Sequence, residues 1–532
     1  MSDARPEAPG FPSRRLAWLT AVFSAATGLS RILGLAREIV VRGFFGVEGA
    51  GINAFTVAFQ IPNLVRALVA DAALSSAFVP VFTELLERGE RARAWRVASS
   101  LIWLMLLGLT AITALFVLAA PWLMSMFGYS GEDGELAVTL ARILFPIVVL
   151  LGISGVIVGI LNSYEHFTVP ALSPVAWNIA IIVGLVIGVP RAGSEENELY
   201  VYAGSIVVAT VIQLLLPLPW LAGRDGRLRV AIDWRDPAVK RVFVLMLPVT
   251  LGLGLINFNT VIGTFFAARY VDPTLAPSAI DAAFRIYMLP QGMFSVAVAT
   301  VLFPALSRLA AREELEGFRR TLGTGLRQIA FLLVPASVVS AVLAEPIVRL
   351  VYERGEFGPA ETRVVAGALA AFSLGLTFNG AMLMLNRAFF SLQSPWTPTA
   401  VALGTVVVNT ALYVALYRLG VWGIPLAISI ANVAGALALI ALLRRRLDRI
   451  ELGETIDSVL RITAASAVLG AVAFGVWWGL DDLLGRAFFA QLISVFGAIA
   501  GGGLAYLFSA RLLGVRELNA LLSLRSGARP GA

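Results

Sequence analysis

Apolar residues occur in long uninterrupted segments separated by short polar loops, a pattern typical of membrane-spanning helices. A bilayer core about 30 Å thick requires about 20 apolar residues per helix. The sequence predicts an all-α polytopic membrane protein with about fourteen transmembrane helices of this length. The predicted segments are 16–41, 52–83, 97–120, 136–161, 168–189, 200–222, 242–269, 278–307, 327–351, 363–386, 397–417, 421–443, 458–480 and 487–512.

The charges of the loops alternate along the chain. Short cytoplasmic loops of membrane proteins are enriched in Lys and Arg. The alternation therefore predicts an even number of spans, with both termini in the cytoplasm. The basic loops are 84–96, 223–241, 308–327 and 444–449, and the mainly acidic loops are 128–135 and 190–199.

Similar residues recur in the two halves of the chain at a nearly constant offset. Leu161-Asn162 recurs as Leu385-Asn386, Ile61-Pro62-Asn63 as Leu289-Pro290-Gln291, and Asn178 as Asn409. The recurrence predicts two parallel six-helix repeats, an N-lobe and a C-lobe around a central cavity, with two extra C-terminal helices. The predicted domains are a cytoplasmic N-terminal tail (1–15), the N-lobe (16–222), a basic cytoplasmic linker (223–241), the C-lobe (242–443), a basic cytoplasmic loop (444–457), helices 13 and 14 (458–512) and a cytoplasmic C-terminal tail (513–532).

Composition narrows the possible functions. Only 14% of residues are charged and 58% are hydrophobic, whereas a soluble protein has about 25% charged residues. Cysteine is absent, so disulfides, thiolate metal sites and cysteine nucleophiles are excluded. His166 is the only histidine and Lys240 the only lysine, which argues against a histidine metal site, a catalytic triad or a Walker-type ATP site. The formal net charge of +7 lies in loops beside helix ends and does not indicate nucleic-acid binding.

Charged residues lie in the middle of several apolar segments. An arginine at bilayer depth costs about 2.5–3.5 kcal/mol on insertion scales, and such residues usually face a polar cavity or the bundle interior. At about 100° per residue, Arg31, Arg37 and Glu38 lie in one polar arc of the first segment. Two arginines and one carboxylate leave a positive charge, although Glu38 serving only to neutralise an arginine is an alternative.

Later segments repeat this arrangement. Arg66 and Asp71 lie in the second segment, and Asp281 precedes Arg285 by one helical turn in the eighth, the favourable order for an ion pair. Self-contained pairs are the alternative in both segments. The excess of arginine instead predicts a cationic cavity that holds an anion, with no catalytic residue, metal or cofactor. The predicted substrate-binding residues are Arg31, Arg37, Glu38, Asn53, Arg66, Asp71, Asp281 and Arg285.

Seven motifs carry a family resemblance. They are Ser30–Glu38, Asn53–Phe55, Ile61–Arg66, Ala77–Pro80, Arg285–Gly292, Ala299–Pro304 and Tyr352–Phe357. Together they resemble the MurJ/MviN family of lipid II flippases over nearly the whole chain. The resemblance implies the fold of the multidrug/oligosaccharidyl-lipid/polysaccharide exporters. It also implies four cavity arginines, Arg31, Arg37, Arg66 and Arg285, and a groove for a polyprenyl tail in segments 13 and 14.

Three positions depart from the family pattern. Asn53 stands where the family often has aspartate, and Phe284 stands where an acidic residue usually precedes the cavity arginine. Some members bind sodium through carboxylates in helices seven and eleven, but Gly263 and Tyr413 mark regions without a carboxylate here. The sodium site of those members is therefore not expected in this chain.

The resemblance implies a function in the bacterial cytoplasmic membrane. The expected substrate is lipid II, the undecaprenyl-pyrophosphate-linked peptidoglycan precursor, moved from the inner to the outer leaflet. Alternating access driven by membrane potential or an ion gradient is the expected mechanism. A flippase for another polyprenyl-linked oligosaccharide and a drug or cation antiporter of the same superfamily are the alternatives. The expected partners are lipid II, membrane lipids and proteins of cell-wall synthesis or division, and neither ATP nor nucleic acid.

Overall fold

The computed structural model describes residues 14–69, 72–447 and 452–518, and these ranges contain helices and turns but no strand. Two 5-residue π-helices, Ala267–Val271 and Gln291–Ser295, and short 3-10 turns join some of the α-helices. The α-helices are α1 (Arg14–Phe45), α2 (Ala50–Val69), α3 (Ala72–Glu87), α4 (Arg91–Met126), α5 (Gly131–Leu144), α6 (Ile147–Ser163), α7 (Thr168–Gly188), α8 (Glu195–Leu215), α9 (Pro237–Phe266), α10 (Ala276–Pro290), α11 (Val296–Ala311), α12 (Leu315–Val342), α13 (Ala344–Tyr352), α14 (Pro359–Ser373), α15 (Leu376–Ser391), α16 (Trp396–Leu416), α17 (Gly423–Leu447), α18 (Leu452–Leu484) and α19 (Phe488–Leu512).

The predicted apolar segments fall on helices or on pairs of adjacent helices wherever the chain is described. Ten of these helical stretches are long and apolar enough to cross a membrane, or 11 if α14 and α15, which meet at 43°, form one span. The helices α1, α2, α3 and α9 are outside this set, and only part of their side chains is described. The all-α membrane class is confirmed, whereas the count of fourteen stays a prediction.

Contacts divide the described chain into two compact units. Unit 1 contains α1 up to Val41 together with Ala54–Val261, and unit 2 contains Arg42–Asn53 together with the described residues from Ile262 onward. The turn between α1 and α2 therefore packs with unit 2. The predicted lobes and their boundaries stay predictions.

Local sequence explains where individual helices begin. Ser194 precedes α8, and its hydroxyl accepts a hydrogen bond from the Asn197 N–H at 3.3 Å, as a helix N-cap does. Three glutamates occupy the first turn of α8, where negative charge is favoured by the helix dipole. Pro359 begins α14 at the position where proline fits best, and the Glu361 carboxylate accepts the Gly358 N–H at 2.7 Å.

Small residues bring the helices of unit 1 close together. A Cβ added at Gly152 on α6 would lie 2.3 Å from Leu109 Cδ1 on α4. A Cβ at Gly159, also on α6, would lie 2.7 Å from the ring of Phe78 on α3. Membrane helices associate largely through such close packing, since lipid supplies no hydrophobic drive between them.

The last two helices are fastened to the rest of unit 2 by ion pairs. Arg327 of α12 pairs with Glu517 at 3.0 Å, just beyond the end of α19. Glu517 also accepts a hydrogen bond from Ser458 of α18 at 2.9 Å. Buried Arg349 of α13 lies 3.6 Å from Asp481 near the end of α18. The helices α18 and α19 are therefore tied to α12 and α13 at separate points.

The turn between α13 and α14 docks on the turn that follows α1. The Glu356 N–H donates to the Gly43 carbonyl at 3.0 Å. Gly355 adopts a φ of +60°, and a Cβ there would lie 2.0 Å from the same carbonyl oxygen. Glycine is thus required at 355 by both conformation and space.

Gly355→Ala is expected to lower the thermal unfolding temperature of the purified protein strongly. The left-handed conformation alone costs a side chain about 1–2 kcal/mol, and the backbone of Gly43 cannot move aside without losing its hydrogen bond. Gly89→Ala is the matched control, because Gly89 has a φ of +77° with nothing within 4 Å of an added Cβ. Equal losses in the two variants would show that the contact with Gly43 contributes nothing.

Candidate functional site

The polar arc of α1 packs beside α7 in unit 1. The Asn178 side-chain N–H group donates to the Ser30 carbonyl at 3.4 Å and to the Pro174 carbonyl at 2.9 Å. Gly34 allows this approach, since its Cβ position lies 4.0 Å from Asn178 Oδ1. Ser30 and Gly34 of α1 therefore both lie against Asn178.

Arg37 is held by two neighbours and retains an unused donor. Its Nη2 lies 2.5 Å from Glu38 Oε1, and its guanidinium carbon lies 4.9 Å from the centroid of the Trp177 ring. The Arg37 Nε is buried without a hydrogen-bond partner. Stacking on tryptophan keeps the guanidinium plane fixed, and the Nε–H can donate a hydrogen bond to an incoming oxygen. The structure therefore brings the predicted residues Arg37 and Glu38 together.

Arg31 differs from Arg37 in being exposed. Within the described ranges no hydrogen bond, ion pair or ring contact joins its side chain to another residue. Arg31 and Arg37 together carry two positive charges against the one carboxylate of Glu38. The α1 arc is net positive, as the residue pattern predicted.

Arg66 on α2 is half-buried and is oriented by a residue one turn earlier. Its Nε and Nη2 donate to the Asn63 side-chain oxygen at 3.1 and 2.8 Å. The Asn63 oxygen, a neutral acceptor, thus orients both donors. Asp71, which the sequence offered as an alternative partner of Arg66, lies outside the described residues.

In unit 2 one carboxylate joins two arginines. Asp281 Oδ1 lies 3.2 Å from Arg285 Nη2, and Asp281 Oδ2 lies 3.1 Å from Arg42 Nη2. Arg42 is 2% exposed, whereas Arg285 is partly exposed. The alternative of an Asp281–Arg285 pair is therefore present in the structure, as part of a triad of two arginines and one carboxylate, Arg42–Asp281–Arg285.

Arg42 was not among the predicted residues. A helical signal for it exists, because Arg31, Glu38 and Arg42 are spaced by seven and then four residues, which places them on one stripe of α1. No local pattern in the sequence indicates that Arg42 pairs with Asp281, which lies 239 residues away.

Asn53 is fully buried and is occupied by backbone groups. Its side-chain nitrogen lies within hydrogen-bond distance of the carbonyl oxygens of Val47, Gly49 and Thr274, and its oxygen accepts the Ser278 N–H at 2.8 Å. These contacts satisfy the amide and tie the start of α2 to the start of α10. An aspartate here would lack the donor that these carbonyls require, which explains the departure at Asn53.

Glu361 is a second buried polar group at the same turn. Its Oε1 accepts the backbone N–H groups of Val47 at 2.6 Å and Glu48 at 2.8 Å. Gly46 makes room, since a Cβ there would lie 2.6 Å from that oxygen. The sequence analysis missed Glu361, because no local pattern shows a carboxylate that serves the backbone of a distant turn.

The helix that carries Asp281 and Arg285 continues through its proline. Proline and glycine commonly kink or break a helix, and Pro290 and Gly292 predict such a break in the eighth segment. In the structure, however, α10 passes through the π-helix into α11 as one helical stretch from Ala276 to Ala311. Gln291 donates to the Asn379 side-chain oxygen and Asn379 donates to the Tyr287 hydroxyl, both at 2.9 Å. A π-turn of this kind often marks a functional position, and here it turns Gln291 toward α15.

Phe284 and Tyr413 show what replaces the missing acidic groups. Phe284 lies 5.7 Å from the Tyr287 ring and 5.6 Å from the Phe372 ring, within an aromatic cluster. Tyr413 is fully buried, and its hydroxyl lies 3.2 Å from the Cβ position of Gly263. No group of three or more His, Cys, Asp or Glu residues that could hold a metal occurs in the described part of the chain.

Asp281→Asn is expected to lower the free energy of unfolding by about 3 kcal/mol, the lower end of the range for breaking a buried ion pair. The neutral amide would remove the charge that pairs with both arginines. The measurement is thermal unfolding in detergent, followed by tryptophan fluorescence. The double variant Arg42→Gln with Asp281→Asn should recover part of the lost free energy of unfolding, because it also removes the charge of buried Arg42. Strictly additive losses would contradict the triad.

Comparisons with known proteins identify a matching family model and similar chains. The family model described as "Lipid II flippase MurJ" matches residues 43–496. A protein of Vibrio cholerae serotype O1 named "Probable lipid II flippase MurJ" is 31% identical over 527 residues, which cover 95% of this chain and 97% of that protein.

Solved structures show the same fold. The structure titled "Lipid II flippase MurJ, inward closed conformation" matches with a TM-score of 0.75 and 25% identity, over 92% of this chain and 98% of its own. An inward-facing multidrug resistance MATE family transporter of the MOP superfamily matches with a TM-score of 0.68 and 19% identity, over 81% and 98%. The second likeness concerns the fold alone.

Proposed function

We propose that this chain, which belongs to the MurJ family of lipid II flippases, moves lipid II from the inner to the outer leaflet of the bacterial cytoplasmic membrane. The family consists of transporters and not of enzymes. The observation that carries the proposal is the excess of arginine over carboxylate in both polar clusters. Arg31 and Arg37 outnumber Glu38 in unit 1, and Arg42 and Arg285 outnumber Asp281 in unit 2.

A pyrophosphate fits this chemistry. A guanidinium presents its donors in a planar fork that matches phosphate oxygens, and charge-assisted hydrogen bonds of this kind are the strong ones. We assign the buried Arg37 Nε as the first donor to a phosphate oxygen, with Arg31, Arg66 and Arg285 as further cationic contacts. Asn53 is saturated by backbone groups and therefore supports the fold around α10 instead of contacting the lipid.

The alternative of a drug or cation antiporter fits the polar clusters less well. An antiporter for cationic drugs needs acidic groups in excess within its polar clusters, whereas the described clusters here are net basic. A flippase for a different polyprenyl-pyrophosphate sugar would use the same arginines, so the transport assay has to compare headgroups.

Arg37→Ala and Arg66→Ala are each expected to abolish rescue of cells depleted of their own lipid II flippase. A charge-assisted hydrogen bond contributes about 1.5–3 kcal/mol, and loss of two or more at one guanidinium removes most of the affinity for the pyrophosphate. Both proteins should still accumulate in the membrane, which immunoblotting checks.

Arg320→Ala is the matched control, because Arg320 is exposed and pairs only with Glu316 on its own helix. Arg37→Lys separates charge from geometry: it keeps the cation but cannot form the fork or the same stack on Trp177. Full rescue by both alanine variants would sink the anion-binding proposal.

We infer alternating access as the mechanism, with the two units as the moving bodies. Because the substrate is an anion, an inside-negative potential favours its outward movement by about 2.3 kcal/mol per charge for each 100 mV or so. The positive-inside rule supports cytoplasmic termini. The helices α18 and α19 are proposed to hold the polyprenyl tail, since they expose large apolar side chains such as Phe474, Phe496 and Phe508.

Transport in sealed vesicles is expected to depend on membrane potential and not on a sodium gradient. The buried Tyr413 occupies the region beside Gly263, and its ring lies 5.6 Å from Phe266, so that region offers a cation no carboxylate. A cation held there would be costly to desolvate.

The measurement is the appearance of lipid II at the outer face, with potential and sodium gradient imposed separately. Flipping driven by sodium at zero potential would show that other groups supply ligands. Activity that persists without potential or gradient would instead indicate passive equilibration drawn by consumption of the product.

A further inference from the structure

The linker between α8 and α9 is built onto the first turns of α4 by specific contacts. The N–H groups of Arg229 and Asp233 donate to the hydroxyls of Ser99 and Ser100 at 3.1 and 3.2 Å. The Trp103 indole N–H donates to the Arg229 carbonyl at 3.2 Å. Residues 226–233, which form neither helix nor strand, are therefore held against α4.

Two further contacts fix the ends of the linker. Gly226 lies against the Trp95 ring, where an added Cβ would be 2.3 Å from the ring. Asp236 pairs with Arg93 at 3.3 Å. Burial raises the pKa of Asp236, but hydrogen bonds from Arg93 and from the Ala238 N–H outweigh it, so the pKa falls below its ordinary value. The carboxylate is thus ionised at neutral pH and holds the linker in place.

The outward face of this anchored segment is apolar and aromatic. Val230 is 78% exposed, Ile232 is 50% exposed and Trp234 is 57% exposed. Exposure alternates along this stretch, because Ala231 and Asp233 between these residues are half-buried. A linker fixed this firmly with its apolar side chains outward leaves them exposed to water unless something covers them.

Cations without acidic partners flank the apolar face. The three carboxylates of the linker are occupied: Asp225 pairs with Arg91, Asp233 accepts backbone N–H groups of the linker, and Asp236 pairs with Arg93. Four exposed cations remain that form no ion pair in the described ranges, namely Arg227, Arg229, Arg235 and Lys240. The face therefore combines apolar side chains with uncompensated positive charge.

The position along α4 places this face at the edge of the membrane. Arg96 is the last charged residue of α4, and the helix is free of charge from Val97 to its end. Ser99, Ser100 and Trp103 hold the linker within the first two turns of that uncharged part. The irregular backbone of the linker cannot lie in the hydrocarbon core, where its polar groups would lack partners, but it suits the headgroup level, where tryptophan is enriched.

We propose that the linker segment Gly226–Lys240 is a membrane-docking surface for anionic phospholipids of the inner leaflet. Val230, Ile232 and Trp234 insert among the headgroups, and the unpaired cations bind phosphate groups beside them. Each basic residue near an anionic leaflet strengthens binding by about five-fold at low salt. The docking fixes the linker to the membrane independently of which lipid-linked substrate is carried.

The test uses the absence of native cysteine. Ile232→Cys is labelled with a small fluorophore and reconstituted into vesicles of phosphatidylcholine, with or without phosphatidylglycerol. Lipid carrying a shallow spin label reports contact with the membrane, and iodide reports contact with water. We expect strong lipid quenching and weak iodide quenching at position 232, with the difference increased by phosphatidylglycerol.

Glu87→Cys is the matched control, because it is exposed at the end of α3 in the same unit. It should be quenched by iodide and not by lipid. In intact cells both cysteines should react with membrane-permeant maleimides, and the Glu87 cysteine should resist impermeant ones if this side is cytoplasmic. Reaction of the Glu87 cysteine with impermeant reagents would overturn the assignment to the inner leaflet.

A charge variant separates the two parts of the proposal. Replacement of Arg227, Arg229, Arg235 and Lys240 by glutamine should remove the effect of phosphatidylglycerol and leave the lipid contact of position 232. Replacement of the paired arginines Arg88 and Arg320 by glutamine should leave both unchanged. Equal iodide quenching at positions 232 and 87, without any effect of phosphatidylglycerol, would overturn the proposal and indicate a water-facing surface for a protein partner.

Discussion

The cost of placing arginine inside membrane-length helices organises the polar parts of this protein. Each such side chain must be solvated, paired or used. In the structure Glu38 pairs with Arg37, and Asp281 pairs with both Arg42 and Arg285. Arg31 forms no ion pair within the described ranges. Pairing lowers the cost of inserting an arginine, and an arginine without an ion pair keeps its attraction for the anion proposed above.

The turn between α1 and α2 belongs to unit 2. Arg42 pairs with Asp281 of α10. The Asn53 amide contacts backbone groups at the start of α10, and the Glu361 carboxylate of α14 accepts the Val47 N–H. Buried polar groups of this kind are expensive to leave unpaired, so these contacts hold the turn within unit 2.

Different residue types serve membrane contact, substrate binding and helix packing in this chain. Arginine with an incomplete set of carboxylates fits phosphate, glycine permits close helix packing, and tryptophan beside unpaired cations fits a headgroup layer. The linker thus differs from the polar clusters of α1 and α10 although both are basic. In the clusters most charges are oriented by a neighbouring polar group, as Arg37 is by Glu38 and Arg285 is by Asp281. In the linker the unpaired cations are exposed and accompanied by apolar side chains.

The sequence by itself determined the all-helical membrane class, the positions of the helices, and the arginines that share the arc of α1. These features depend on hydrophobic length and on helical period, which are local properties. It also offered the pairing of Asp281 with Arg285 as an alternative, since one turn of helix separates them. The lipid substrate was inferred from the family resemblance alone, because neither helical periodicity nor residue spacing identifies a substrate.

Only the tertiary structure decided which distant groups meet. It paired Arg42 with Asp281, committed Asn53 and Glu361 to backbone groups, continued α10 through a π-helix where Pro290 predicted a break, and fixed the linker on α4. Helical spacing shows which residues share a face, but it does not show which helix lies opposite that face. The partner of a buried charge is set by packing, because desolvation makes its energy depend on the nearest group in space and not on the nearest in sequence.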